Sequence, residues 1–206
     1  MHLPTIKEIG RWTDFTPASP MRLLVSGCLS GAPCGVDGTS YGEHPIVQKL
    51  IGLPNVQAAA FCPEDFSLGT PREVCNIYGG DGFDVLDGRA RVLTDSGADW
   101  TDAMINAARR MLESAQSNHV HLAVLMDVSA ACGSQVIYDG PREMKNYRIG
   151  AGVCAALLMK HGYQVVSQRD YKTLELVLHK LDPGHRIDEK AIDHHETGWY
   201  REYFGK

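Results

Sequence analysis

The fold follows from the stretch Arg22-Leu23-Leu24-Val25-Ser26-Gly27-Cys28, a short and mostly apolar run that ends at a glycine and a cysteine. An apolar run of this length without polar alternation is typical of a strand that is covered on both faces. Such strands occur in parallel sheets that carry helices on both sides. The stretch therefore predicts the first strand of an α/β sheet, with Cys28 just beyond its carboxyl end.

Two further runs repeat this arrangement, at residues 56–61 before Cys62 and at residues 122–126 before Cys132. Ligands of open parallel sheets bind beyond the carboxyl ends of the strands, which is where these cysteines fall. We predict a Rossmann-like α/β fold whose parallel sheet is flanked by helices. In that fold Cys28, Cys62 and Cys132 share one site.

The remaining pattern predicts helices around residues 45–51 and over residues 100–117, where apolar residues recur at helical spacing behind Asp99. Residues 83–92 alternate around Asp87-Gly88, a dipeptide that two-residue hairpin turns favour. We therefore predict a small β-hairpin insertion at this point.

The composition sets limits on the function. With 44% hydrophobic and 22% charged residues, the 206-residue chain can bury a full core. A net charge of -5 disfavours duplex nucleic acid as a partner and fits a small substrate better. The first residues lack an apolar signal core, and no segment is long enough to span a membrane. The expected location is the cytoplasm, where thiols stay reduced.

The three strand-end cysteines suggest a metal site. Three thiolates can hold a metal ion or an iron-sulfur cluster and leave one coordination position open, and zinc and iron both accept sulfur ligands. Cys34 is either a further ligand or a packing residue. Cys154 lies within an apolar helix and is assigned to packing, and Cys75 is treated as incidental.

Glu64 and Ser129 lie close in sequence to two of these cysteines, so both side chains are expected to face the same cavity. A carboxylate beside a buried metal site is a natural general acid or base for activating water. Asp127 is expected to orient the loop before Cys132. Asp127 and Glu43 are the alternative carboxylates for the role given to Glu64.

A set of short motifs occurs in a fixed order along the chain. They are Cys28-Leu29-Ser30-Gly31, Cys34, Asp37-Gly38, Cys62-Pro63-Glu64, Thr70-Pro71-Arg72, Gly80-Asp81-Gly82, Val85-Leu86-Asp87-Gly88, Ser129, Cys132-Gly133-Ser134 and Ile137-Tyr138-Asp139-Gly140. At these residues the chain resembles the 2-thiouracil desulfidase family, long catalogued as a bacterial domain of unknown function. The family commonly has Ser-Pro-Ser-Cys where this chain has Ser129-Ala130-Ala131-Cys132, and it commonly has a basic residue where this chain has Val128.

The resemblance implies a [4Fe-4S] cluster held by Cys28, Cys62 and Cys132, with Glu64 and Ser129 as the acid/base pair. It also implies removal of sulfur, without net redox change, from a thiolated pyrimidine base, nucleoside or nucleotide of the 2-thiouracil, 4-thiouracil or thiouridine type. The alternatives are a non-catalytic iron-sulfur or zinc protein that senses or stores, and a cluster-free binding domain with core cysteines.

The resemblance also divides the chain. Residues 1–20 form an N-terminal arm, residues 21–168 form the desulfidase-like α/β domain, and residues 169–206 form a C-terminal helical extension. Within the extension, His194 and His195 are expected to be solvated, because adjacent histidines in a polar segment are usually exposed.

Overall fold

The computed structural model describes residues 3–40 and 44–205, so Glu43 lies outside the described residues. The strands are β1 (Met21–Ser26), β2 (Val56–Phe61), β3 (Cys75–Tyr78), β4 (Arg91–Thr94), β5 (Leu122–Leu125), β6 (Val136–Tyr138), β7 (Tyr147–Ile149) and β8 (Val165–Ser167). The α-helices are α1 (Ile6–Gly10), α2 (Pro45–Ile51), α3 (Pro63–Leu68), α4 (Gly82–Leu86), α5 (Thr101–Ser117), α6 (Val153–Lys160), α7 (Tyr171–Leu181) and α8 (Gly198–Phe204). Short 3-10 helices span Gly27–Ser30, Arg142–Met144 and His194–Glu196.

The central sheet has four parallel strands in the order β2-β1-β5-β8. This confirms the predicted α/β fold with a parallel sheet. From β1 the chain first adds β2 on one side and later adds β5 on the other. The strand order therefore reverses between β1 and β5, and a crevice opens there beyond their carboxyl ends.

Helices cover both faces of the two central strands, which explains why their apolar runs do not alternate. In β1, Leu24 belongs to the core under α5 and α6, whereas Leu23 and Val25 belong to the core under α2 and α7. In β5, Ala123 belongs to the core under α5 and α6, and Leu122 belongs to the core under α2 and α7. All five residues are fully buried.

Strand β2 departs from the prediction of a strand covered on both faces. It lies at the edge of the sheet and pairs only with β1 among the described strands, and Gln57, Ala58 and Ala60 are exposed. Its run is apolar because it is rich in alanine, and alanine tolerates both burial and solvent. The strand and its position before Cys62 are nevertheless as predicted.

The predicted hairpin is wrong in its first strand. The antiparallel pair is β3 with β4, in which Cys75 faces Thr94. Residues 82–86 instead form α4, because the Asp81 carboxylate accepts hydrogen bonds from the amides of Phe83 and Asp84 and caps the helix. Asp87-Gly88 lies in the turn from α4 to β4, and β6 with β7 forms a second, unpredicted antiparallel pair.

The predicted helices are confirmed. Helix α2 has the predicted bounds, and α5 begins after Trp100, where Asp99 accepts a hydrogen bond from the Thr101 amide at 2.9 Å. Among residues 3–40 and 44–205, no helix combines the length and the apolar character that a membrane crossing requires.

Candidate active site

A cavity of about 500 Å³ lies beyond the carboxyl ends of β1 and β5, at the point where the strand order reverses. The three predicted cysteines all line it. Cys28 lies in the 3-10 helix after β1, Cys62 is the N-cap of α3 after β2, and Cys132 lies in the turn after β5. The structure thus brings together residues from the ends of three adjacent strands.

Gly27 allows the loops that follow β1 and β2 to approach each other. A Cβ atom at this position would lie 3.2 Å from the Cys34 Sγ and 3.2 Å from the Cys62 Cβ. Any larger residue would push these cysteines outward. The Cys62 Sγ also accepts a hydrogen bond from the Asp65 amide at 3.4 Å, which fixes the thiol at the start of α3.

Ser129 holds the turn that carries Cys132. Its Oγ accepts hydrogen bonds from the amides of Ala131 at 3.2 Å and Cys132 at 3.1 Å. Gly133 closes the turn so tightly that a Cβ there would lie 2.7 Å from the Ser129 carbonyl oxygen. Val128, the residue before Ser129, has a φ of 57°, a left-handed conformation that is strained for a β-branched residue.

Asp127 orients the same loop, as the sequence predicted. Its Oδ1 accepts hydrogen bonds from the amides of Ser134 at 2.9 Å, Gln135 at 3.1 Å and Val136 at 3.2 Å. Its Oδ2 pairs with the His194 Nδ1 at 2.7 Å. Burial raises the pKa of Asp127, but the hydrogen bond and charge of His194 and the backbone amides outweigh it, so the pKa lies below its ordinary value.

The prediction that His194 is solvated is therefore wrong. Its side chain is 2% exposed, whereas His195 lies at the surface. The residue is buried because its Nδ1 pairs with the Asp127 carboxylate, which is itself buried and needs a hydrogen-bonding partner. Nothing in the local sequence around His194 identifies Asp127 as that partner.

Glu64 lines the cavity from the first turn of α3, as predicted. Its Oε2 lies 3.5 Å from the Nη2 of Arg72, whose side chain is 2% exposed. Arg72 also donates hydrogen bonds to the Cys34 carbonyl at 3.2 Å and the Thr70 hydroxyl at 2.9 Å. The Cys75 thiol donates to the Glu64 Oε1 at 3.9 Å, so Cys75 is not incidental but contacts the carboxylate.

The other two cysteines differ in position. Cys34, which lies between Cys28 and Cys62 in the sequence, is buried and lines the same cavity. Cys154 is fully buried in α6 within the hydrophobic core, as predicted. Across the described ranges, no three histidine, cysteine, aspartate or glutamate side chains lie close enough together to hold a single metal ion.

Burial dominates the acidity of the candidate ligand thiols. It raises the pKa of Cys28 and of Cys62 to about 12, and it raises the pKa of Cys132 above its ordinary value. All six cysteines are free thiols. In the metal-free protein these thiols are therefore protonated near neutral pH, and binding of a metal must displace their protons.

We expect alkylation of Cys28 and Cys62 in the metal-free protein to accelerate as the pH rises from about 7 to about 10.5, a range that extends above the ordinary thiol pKa. Only the thiolate reacts, and its fraction grows about tenfold per pH unit below the pKa. Because the pKa of each thiol is raised to about 12, no plateau should appear in this range. Iodoacetamide labelling followed by peptide mass spectrometry measures both rates, and a rate that levels off above about pH 9, where an ordinary thiol is mostly ionised, would show that the thiols ionise normally.

The outer wall of the cavity is aromatic and cationic, which the sequence did not predict. Tyr138, Tyr147 and Trp199 line it together with Arg142 and Arg169. The Arg142 guanidinium lies 5.3 Å from the centre of the Tyr138 ring. Tyr138, Arg142 and Tyr147 belong to β6, β7 and the segment between them, whereas Arg169 and Trp199 come from later in the chain, so the fold brings the two groups together.

Comparison with known proteins adds independent information. Residues 23–170 match the family model described as 2-thiouracil desulfurase. The chain is similar to the uncharacterized protein YbbK of Bacillus subtilis (strain 168), with 38% identity over 149 residues that cover 72% of this chain and 96% of that protein. It is also similar to the solved structure of the [4Fe-4S]-dependent thiouracil desulfidase TudS, with 33% identity and a TM-score of 0.64, over 77% of this chain and 97% of that one.

Proposed function

This chain belongs to the 2-thiouracil desulfurase family, and on that basis we propose that it removes sulfur from a thiolated pyrimidine with the help of a [4Fe-4S] cluster. Water supplies the oxygen that replaces sulfur, and the sulfur leaves as hydrosulfide, so the reaction needs no electrons. The observation that carries the proposal is that Cys28, Cys62 and Cys132 line one cavity together with Glu64.

The residues of the cavity fit such a cluster. Cys28, Cys62 and Cys132 are soft sulfur donors that line one cavity, and three protein thiolates leave one iron of a cubane cluster without a protein ligand. When bound, the cluster supplies an open iron that acts as a soft Lewis acid toward the sulfur of the substrate. We therefore assign these three cysteines as the cluster ligands.

We assign Glu64 as the group that moves protons. Glu64 lines the cavity, and Arg72, which also lines it, holds the carboxylate in place through the 3.5 Å contact. Glu64 can accept a proton from the water that attacks the carbon and pass it to the ring nitrogen or to the departing sulfur. The proton count then balances within the site.

Ser129 has a complementary role in this proposal. Its Oγ already accepts two backbone hydrogen bonds, from Ala131 and Cys132, so both of its lone pairs are engaged. The hydroxyl hydrogen is left to donate into the cavity. We propose that it orients the attacking water or the substrate beside Glu64.

The cavity supports a small substrate. Its volume of about 500 Å³ suits a pyrimidine base, nucleoside or nucleotide. Arg142 and Arg169 also line the cavity, which favours a substrate that carries an anionic group away from the ring. We propose a thiolated substrate of the 2-thiouracil, 4-thiouracil or thiouridine type.

The cofactor is tested by anaerobic purification. We expect a brown protein with about four iron atoms per chain, the content of a cubane cluster. Iron, zinc and acid-labile sulfide would be measured together with the visible spectrum. A colourless protein that holds one zinc atom would contradict the proposal and favour the sensor or storage alternative.

The reaction type is tested by the need for electrons. We expect hydrosulfide release from 2-thiouracil or 4-thiouridine to proceed at the same rate with and without dithionite, because water replaces sulfur without a change of oxidation state. Hydrosulfide and the oxo pyrimidine would be quantified side by side, and the two should form in equal amounts. A strict requirement for reductant would refute the hydrolytic mechanism.

A further inference from the structure

The segment that follows the family match reaches the cavity. The match ends at residue 170, and the residues beyond it include α7, the 3-10 helix His194–Glu196 and α8. At the start of α8, Trp199 lines the cavity that Cys28, Cys62 and Cys132 also line. Trp199 is 38% exposed, so its indole is not fully covered by the rest of the protein.

Among the described residues, four aromatic side chains contact the Trp199 indole, namely His194, Tyr147, Tyr203 and Phe204. The indole ring stacks on the buried His194 ring with a centroid distance of 5.6 Å and an interplanar angle of 7°. It meets the Tyr147 ring edge to face at 5.1 Å and 87°. The Tyr147 amide in turn donates a hydrogen bond to the Tyr203 hydroxyl at 2.9 Å, which ties α8 to β7. Such aromatic pairs restrict the orientation of each ring.

His194 links this segment to the loop of a candidate cluster ligand. Its Nδ1 lies 2.7 Å from the Asp127 Oδ2, and the other oxygen of Asp127 holds the backbone just after Cys132. Both side chains of the pair are buried. The Trp199 indole is therefore linked, through His194 and Asp127, to the loop that carries Cys132.

We propose that Trp199 contacts the planar ring of the substrate and determines substrate affinity, and that His194 is the positioning residue that holds the indole against the cavity. This inference rests on the proposed function. A flat heteroaromatic ring is the ligand that a wall of Tyr147 and Trp199 fits best, because such rings pack on aromatic side chains with little dependence on hydrogen bonding.

Steady-state kinetics on the cluster-loaded enzyme test the role of Trp199. We expect Trp199→Ala to raise the KM for 2-thiouracil or 4-thiouridine by about 5-fold to 100-fold, the range for loss of one base–aromatic contact. Iron per chain and kcat should change little, and Trp199→Phe should retain most of the affinity. The matched control is Ile192→Ala, in the same segment, because Ile192 is exposed.

A second readout does not depend on turnover. Binding of uracil, the oxo product, to the loaded enzyme would be measured by calorimetry for the wild type, Trp199→Ala and Ile192→Ala. We expect the Kd to rise in Trp199→Ala by a factor similar to the KM and to stay unchanged in Ile192→Ala. An active Trp199→Ala enzyme with wild-type KM and Kd would overturn this inference alone. A wild-type enzyme that neither binds pyrimidine nor releases hydrosulfide would overturn the proposed function as well.

The role of His194 is tested by a double-mutant cycle. If His194 acts by holding Trp199, the KM of His194→Ala/Trp199→Ala should be no higher than that of the worse single variant. If the KM of the double variant rises by the product of the two single-variant factors, His194 and Trp199 act independently and the positioning role is overturned. If His194→Ala fails to fold, His194→Asn keeps a donor for Asp127 and serves in the same cycle.

Discussion

Replacement of Cys28, Cys62 or Cys132 by serine is expected to remove most of the iron from the anaerobically purified protein. Serine presents a hard hydroxyl in place of a soft thiolate, and two remaining thiolates cannot hold a cluster with the same affinity. Each variant should therefore also lose essentially all hydrosulfide release. Iron and sulfide per chain, with the visible spectrum, measure the first effect, and thermal unfolding shows whether the fold is intact.

The chain offers controls for this test at its three other cysteines. Cys154→Ser should keep its iron, since Cys154 is fully buried in the hydrophobic core and does not line the cavity. Cys75→Ser should also keep its iron, because Cys75 does not line the cavity and a serine hydroxyl can still donate to the Glu64 carboxylate. Cys34→Ser is the most informative control, since Cys34 also lines the cavity. Equal loss of iron in all six variants would show that a position at the end of a strand does not distinguish the cluster ligands from the other cysteines.

The parallel sheet could be predicted because its pattern is local. Leu23, Leu24 and Val25 are apolar without alternation, and only a strand covered on both faces requires that. Since parallel strands share one carboxyl edge, the positions of Cys28 and Cys132 on one cavity followed from the same pattern. The strand β2 shows where this reasoning fails, because an alanine-rich run is apolar whether or not it is covered.

The parts of the site that escaped prediction depend on contacts between distant segments. Arg72 is part of a recognisable motif, but its role beside Glu64 depends on how the chain folds back across the loop of Cys34. His194 belongs to a polar segment, and its burial depends on Asp127, which lies 67 residues away in sequence. Trp199, which stacks on His194, lines the same cavity from a segment still further along the chain.

The hairpin shows a second kind of failure, in which two local signals compete. Asp87-Gly88 favours a hairpin turn, but Asp81 and Asp84 form a capping box that starts a helix a few residues earlier. The capping box satisfies backbone amides directly, so residues 82–86 become helical and the turn dipeptide serves to lead into β4. Recognition of the cap at Asp81 could have corrected the prediction from the sequence.

Replacement of Glu64 by glutamine is expected to leave the iron content unchanged and to lower the rate of hydrosulfide release by about 10²-fold to 10⁴-fold, the usual contribution of a general acid or base. The amide has nearly the shape of the carboxylate and can still contact Arg72, but it cannot carry a proton from water to the substrate. The rate should be expressed per bound cluster, so that any loss of cofactor is not counted as a loss of chemistry.

The matched control for Glu64→Gln is Asp65→Asn, the same chemical change at the exposed neighbouring residue of α3, which should leave the rate unchanged. Ser129→Ala should lower the rate less than Glu64→Gln if the hydroxyl only orients water, and equally if it relays the proton. A Glu64→Gln enzyme with full iron and a normal rate would remove Glu64 from the mechanism. Asp127 also lines the cavity, but both of its carboxylate oxygens are already engaged, Oδ1 by three backbone amides and Oδ2 by His194.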